Sequence, residues 1–184
     1  MLARIWDLVL ERVLRHYRMS GAVVSRRAGL RPSDVVLDVG GGTGGVSAQI
    51  AGAVRAVIVL EPNATLAKRG RDRFPRSRFL RGDGTRLPVR DGSVDVVLLV
   101  EVLHHIADAD AVLSECARVL RPGGRILIEE VEFIGAVGWV ARQLEQRVFS
   151  GVWPRDREGL CAGLARVGMR PTVLEQEGFV ILAA

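Results

Sequence analysis

A chain of 184 residues is long enough for one well-buried domain and short for two. With 48% hydrophobic residues and glycine and proline spread along its length, it is excluded from the disordered and low-complexity classes, and no internal repeat is evident. The net charge of +5 rests on arginine, since Lys68 is the only lysine, and six arginines fall between Arg69 and Arg81. A solvated helix face accounts for that cluster, with RNA phosphates or an acidic surface as the other reading. Aromatic residues are too few to form an array of stacking platforms, so nucleic acid is the disfavoured partner.

At the start of the chain Leu2, Ile5, Trp6, Val9, Leu10, Val13, Leu14 and Tyr17 follow helical spacing with charges interspersed, which predicts an amphipathic helix rather than a secretory signal. A second short helix is expected over Gly21 to Leu30, stopped by Gly29 and Pro32. Apolar runs at Val35–Val39, Ala56–Leu60, Arg78–Leu80, Val94–Val100 and Arg125–Ile128 have the length and β-branched content of buried strands. Helical patterns intervene at Val46–Ala53, Ala64–Phe74 and Ala109–Leu120, while a bare loop, Gly82–Gly92, joins the third run to the fourth. This alternation predicts an α/β fold, a doubly wound and mostly parallel sheet with helices on both faces. The stretch Val94–Ile106 is broken by Asp95 and Glu101 and is too short to span a bilayer. Cys116 and Cys161 stand singly, so neither zinc nor any other metal site nor a disulfide framework is expected, and a cytoplasmic location fits.

The last third reads differently. Phe133 to Ser150 is an apolar segment running into a helix, Pro154 to Val167 is a further helix, and Pro171–Gln176 and Phe179–Leu182 are short strands separated by Glu177 and Gly178 at hairpin spacing. A seventh strand returning antiparallel is unusual for a dinucleotide-binding domain.

"LDVGGGTGG", Leu37 to Gly45, fits two fingerprints. Gly40, Gly42 and Gly45 give the dinucleotide spacing G-x-G-x-x-G, with Glu61 about twenty residues on. Asp38, Gly40, Gly42 and Gly44 give D-x-G-x-G-x-G. Asp38 discriminates between them: a carboxylate at the strand end repels a diphosphate lying over the loop and attracts an ammonium group. S-adenosylmethionine carries that ammonium, together with a carboxylate for the N–H groups that open the next helix, and has no phosphate. A phosphate-cradling P-loop is excluded, because no Lys-Ser or Lys-Thr follows the glycines. Glu61, ending the second strand, suits ribose hydroxyls; Asp83, ending the third, suits an adenine amino group.

These motifs resemble class I S-adenosylmethionine-dependent methyltransferases, particularly the small-molecule branch of ubiquinone and menaquinone biosynthesis. "VLDVGGGTG" matches the first motif, "VIVLEP" the second, "GDGTRLPVRDGSVDVV" the third into the fourth, and "EVLHHIADADAVLSECARVLRPGG" the fourth into the fifth, in order over about half the chain. The resemblance implies a Rossmann-like, seven-stranded sheet ending in an antiparallel hairpin. It implies S-adenosyl-L-methionine as cofactor, held by Asp38, Gly40, Gly41, Gly42 and Gly44 around the methionine part, by Glu61 and Pro62 at the ribose, by Asp83 and Gly84 at the adenine, and by Glu101 shaping the methionine end. Gly41 stands where Cys or Ala is frequent, and Glu61 is a methylene longer than the commoner Asp.

Methyl transfer from a sulfonium is an in-line displacement that needs alignment and exclusion of water, and a base only when the acceptor must lose a proton. His104 and His105, after the fourth strand, are the candidates for that base; ordering the loop or packing on the sheet is the alternative reading. The whole chain, 1–184, is expected to be a single methyltransferase domain, with residues 1–31 as a helical lid and 133–153 as an acceptor-side segment. Trp6, Tyr17, Phe133, Trp139, Phe149 and Trp153 in these parts suit a small aromatic or apolar acceptor. RNA or protein methylation, and a non-catalytic cofactor-binding regulator, are the alternatives; a homo-oligomer is left open.

Overall fold

The computed structural model describes residues 20–130, 153, 155–175 and 180–184. The expected N-terminal helix, the apolar segment 133–150 with its aromatic side chains, and the turn at 177–178 lie outside the described residues.

Helix α1 (Gly21–Arg27) starts on Ser20, whose Oγ accepts the Val23 N–H. Strand β1 (Val35–Val39) follows, then α2 (Gly45–Ile50), β2 (Ala56–Leu60), α3 (Ala64–Arg73), β3 (Arg78–Leu80) and β4 (Val94–Val100). A 3-10 turn (Leu103–His105) leads to α4 (Ala109–Val119), β5 (Leu120–Glu129), α5 (Arg157–Arg166), β6 (Pro171–Glu175) and β7 (Val180–Ala183). The first four strands have the predicted limits. Helix α2 is shorter than expected, because the chain tightens after Ile50, with Ala53 N–H bonding back to Ile50 C=O at 2.9 Å. Helix α5 begins after Asp156, whose carboxylate caps the Gly159 N–H at 2.6 Å. Strand β5 begins earlier than Arg125: Leu120 already pairs with Val94, the register then shifts, and Val96 pairs with Arg125.

The seven strands lie in the order β3-β2-β1-β4-β5-β7-β6. Every pair from β3 to β5 is parallel, and β7 runs antiparallel to both β5 and β6. The sheet is therefore Rossmann-like and doubly wound, with the predicted hairpin at one end. Alternation along the strands splits the core in two. Leu37, Val39, Val97, Leu99, Ile126 and Ile128 face α4 and α5, whereas Val36, Val96, Leu98 and Leu127 face α1 and α2. Strands covered on both faces must read as unbroken apolar runs, which is why "VDVVLLV" carries a single charge.

That charge, Asp95, is buried: Oδ2 accepts the Val35 N–H at 2.8 Å, and Oδ1 is ion-paired with Arg121. Arg125 donates to Ala28 C=O, to Gly29 C=O and to Asp34 at 2.7 Å, closing the end of the sheet where the parallel strands begin. The helix-free loop 82–92 is tied to α4, where Arg118 donates to the carbonyls of Leu87 and Val89, and Glu115 accepts the Leu87 N–H at 2.7 Å. Among the described residues no helix is long and apolar enough to cross a membrane.

Helix α3 approaches its edge strand through Gly70, where an added Cβ would lie 2.2 Å from the Phe79 ring and 3.0 Å from Thr43 C=O. Gly→Ala in an open helix stabilises by about 1 kcal/mol. Here overpacking outweighs propensity, and Gly70→Ala is expected to destabilise by about 1–3 kcal/mol. Urea denaturation measures the sign; a raised midpoint with an unchanged slope would show that Phe79 yields freely.

Candidate active site

In a parallel sheet the loops beyond the carboxyl ends of the strands gather around the point where the strand order reverses, here between β1 and β4. The glycine loop emerges from β1 at that point. Gly40 has φ of +72°, donates its N–H to Leu60 C=O at 2.8 Å, and lies so close to Val102 that a Cβ would come within 2.2 Å of it. Gly41 is required for space: its Cβ would lie 2.5 Å from Asp38 Oδ2. A glycine where Cys or Ala is frequent thus lets the Asp38 carboxylate fold beneath the loop. Gly44, also left-handed, begins α2.

Asp38 is 2% exposed, and Oδ2 accepts a 2.6 Å hydrogen bond from Ser47 Oγ on α2. Burial pushes its pKa up to about 6; the Ser47 hydroxyl opposes the shift, and neighbouring Glu61 adds to it. Glu61 is itself 6% exposed and holds two backbone groups, Gly42 N–H at 3.0 Å and Asn63 N–H at 2.8 Å. The acid expected from its spacing is thus a brace for the glycine loop as well as a candidate ligand. Neither carboxylate has an ion-pair partner among the described residues. Pro62 is exposed just beyond them.

The third and fourth strands bring their loops to the same place. Asp83 is exposed and binds the Thr85 N–H at 2.9 Å, shaping its own turn. Gly84 is buried, and a Cβ on it would lie 3.2 Å from Val39 and 3.6 Å from Ile106. Glu101, beyond β4, has φ of +50°, the one positive value at a non-glycine position among the described residues; its N–H donates to Glu129 C=O at 2.8 Å.

The two histidines separate. His104 is 2% exposed, with Nδ1 2.5 Å from Glu130 Oε2, whereas His105 is half-buried with its ring centroid 4.0 Å from that of His104. The other Glu130 oxygen accepts Val102 N–H at 3.1 Å and Leu103 N–H at 2.6 Å. From the opposite side Arg155 donates to the carbonyls of Leu103, Ile106 and Ala107, and the Trp153 N–H donates to His104 C=O at 2.8 Å. The turn that presents His105 is held by an acid on its N–H groups and a base on its carbonyls.

Residues 37–128, half the chain, match the methyltransferase domain family. The chain belongs to that family. A demethylmenaquinone methyltransferase of Beutenbergia cavernae is 38% identical over 130 residues, covering 64% of this chain and 54% of the relative. A ubiquinone/menaquinone biosynthesis C-methyltransferase of Teredinibacter turnerae is 36% identical over 112 residues, covering 56% and 45%. The chain thus spans about half the length of these relatives. The crystal structure of the YcgJ protein from Bacillus subtilis superposes with a TM-score of 0.74 at 21% identity, covering 84% of this chain and 70% of the other, and so shares the fold of this methyltransferase domain.

The structure gathers Asp38, Gly40, Gly41, Gly42, Glu61, Gly84 and the turn after β4 into one locality of the methyltransferase domain. It adds three residues that the sequence reading missed. Ser47 had a local signal, a small polar residue one turn into the helix after the glycines. Glu130 and Arg155 had none, since they meet the turn across 26 to 52 residues of chain.

Because the folded chain holds its Asp38 proton up to about pH 6, above the ordinary 3.8, this carboxyl favours folding below pH 4 and loses that contribution as pH rises through 6. The shift corresponds to about 3 kcal/mol of destabilisation at pH 7. Asp38→Asn is expected to be more stable than the parent at pH 7 and nearly equal at pH 4, by urea denaturation at both; a gap independent of pH would remove the buried anion from the account.

Proposed function

We propose that this chain transfers a methyl group from S-adenosylmethionine to a small organic acceptor, at oxygen, nitrogen or carbon, by in-line displacement. The observation that carries the reading is the pair of buried carboxylates, Asp38 and Glu61, at adjoining strand ends with no cation beside them among the described residues. Such a site penalises a diphosphate and favours a cationic headgroup. S-adenosylmethionine supplies an electrophilic methyl group on a sulfonium and an amino-acid headgroup with an ammonium.

Asp38 would accept the ammonium hydrogen bond, supported by Ser47, while Gly41 leaves room for the carboxylate beneath the loop. Glu61 keeps acceptor capacity for two ribose hydroxyls in addition to the Gly42 and Asn63 N–H groups. Asp83 and Gly84 would meet the adenine, Pro62 the ribose end, and Glu101 the methionine end. The glycine backbone at 40, 41, 42 and 44 makes the approach close.

His105 is the better placed of the two histidines to take a proton from an acceptor, because His104 is committed to Glu130 in the interior. Glu130 and Arg155 then hold the turn on which His105 sits. The names of the two relatives, a demethylmenaquinone methyltransferase and a ubiquinone/menaquinone biosynthesis C-methyltransferase, support an aromatic, apolar acceptor of the quinol kind.

The deciding experiment is transfer of radiolabelled methyl from S-adenosylmethionine across phenols, quinols, amines, RNA and protein. Label is expected on the quinols or phenols. Uptake of the cofactor with no product in any class would instead make the chain a non-catalytic binder. Asp38→Asn is expected to weaken cofactor affinity by about 1.5–3 kcal/mol, tenfold to a hundredfold, by calorimetry, even as it stabilises the fold. In the parent protein affinity falls as pH drops through 6, where the free carboxylate takes up its proton. His105→Ala is expected to lose at least about tenfold in turnover with cofactor affinity kept; unchanged turnover removes the base.

A further inference from the structure

A dense run of positive charge lies on one edge of the sheet, beside a second excess over residues 1–31, where seven arginines stand against Asp7 and Glu11. Residues 68–81 carry Lys68 and six arginines against one acid, Asp72, a net charge of +6; the whole chain is +5, so the other 170 residues sum to −1. Four arginines elsewhere among the described residues meet acids, while others, Arg31 and Arg170 among them, have no carboxylate partner there. Arg118 pairs with Glu115 and Asp91, Arg121 with Asp95, Arg125 with Asp34, and Arg166 with Asp110. Arg69, Arg71, Arg73, Arg76, Arg78 and Arg81 are all exposed, none has a carboxylate partner among the described residues, and the one acid in the stretch is taken by Lys68 at 2.7 Å.

The shape and chemistry of this edge restrict its partner. Among the described residues strand β3 pairs only with β2, and α3 packs alongside it through Gly70. Two phenylalanines interleave with the arginines in sequence, but Phe79 is 7% exposed and the Phe74 ring lies under the Arg73 guanidinium at 5.3 Å. Neither is left as a platform for stacking a base, which disfavours single-stranded nucleic acid. Guanidinium groups bind phosphate oxygens in a bidentate manner and stay charged at any physiological pH. Arg81 lies two residues before Asp83, so the basic edge reaches the rim of the candidate site.

We infer that the α3–β3 edge is a docking surface for anionic phospholipid headgroups, holding the site beside the bilayer from which an apolar acceptor is drawn. The second half of that statement rests on the proposed apolar acceptor; the docking itself rests on the charge distribution. Each arginine near an anionic membrane surface contributes a several-fold gain in partitioning, additive across the patch and weakened by salt.

Sedimentation of the full chain with phosphatidylcholine vesicles, and with vesicles that also contain phosphatidylglycerol, tests the inference. Binding is expected to the anionic vesicles alone and to weaken as salt rises. Arg69→Glu/Arg76→Glu should lose at least about tenfold in partitioning. Arg31→Glu/Arg170→Glu, the same change in net charge at exposed positions away from this edge, should stay near the parent value. Equal losses in the two double variants, no binding to anionic vesicles by the parent, or tighter binding to RNA than to vesicles would each overturn it. Calorimetry with S-adenosylmethionine on the same preparations separates the two readings. Cofactor uptake without vesicle binding removes the docking surface alone, and vesicle binding without cofactor uptake removes the proposed chemistry and leaves the docking standing. Retained uptake in Arg69→Glu/Arg76→Glu shows that this variant is folded.

Discussion

The candidate site is organised around one buried carboxylate. Asp38 sits at the end of a strand covered on both faces, 2% exposed, with one hydroxyl as its recorded partner and a second carboxylate nearby. In an apolar interior such a group destabilises the fold unless something cationic joins it. The surroundings are built to keep it there. Gly41 removes the Cβ that would strike the carboxylate, Ser47 offers its hydroxyl from the first turns of α2, and Glu61 pins the loop above through the Gly42 N–H. A binding site that costs stability when empty gains that energy back when a cation enters, and on the proposed function this links cofactor affinity to pH and to folding through one side chain.

The second half of the site is organised differently. The turn after β4 is short and irregular, so its backbone groups have no ladder to join and must find partners elsewhere. Glu130 supplies acceptors and Arg155 supplies donors, one from the end of β5 and the other from the approach to α5. His104 belongs to this framework rather than to the surface of the site. Its commitment to Glu130 leaves His105 as the histidine nearer the solvent side of the same turn. Rigid presentation of one group by neighbours that never touch the substrate is how a site gains alignment without being strained at the reacting atoms.

The charge pattern adds a third layer to the same sheet. Its carboxyl-end loops concentrate negative charge at Asp38 and Glu61, while its β3 edge concentrates positive charge on α3 and β3. On the two proposed readings, the acids at the strand ends disfavour diphosphates and the basic flank attracts phosphates. The docking reading and the cofactor reading therefore draw on opposite signs of one charge distribution, and each can fail without the other.

The sequence by itself determined what periodicity and local chemistry dictate. The first four strands were legible to the residue: β1, β2 and β4 because a strand buried on both faces has to be an apolar run of its own length, and the short edge strand β3 from its apolar pair Phe79 and Leu80. The glycine loop was legible because its residues are neighbours in the chain, and the acids at three strand ends because each stands just at the end of its own apolar run. The antiparallel hairpin was legible from its two short apolar runs, although the turn between them lies outside the described residues. What only tertiary structure decided was partnership. That Glu61 braces the loop, that Ser47 caps Asp38, that Glu130 buries His104 and that Arg155 holds the turn all depend on which distant segments the sheet order brings together. Hydrogen-bond partners separated by tens of residues leave no periodic mark. The same holds for charge: a run of arginines looks alike in sequence whether acids neutralise it or not, and only the fold shows that no carboxylate among the described residues meets them.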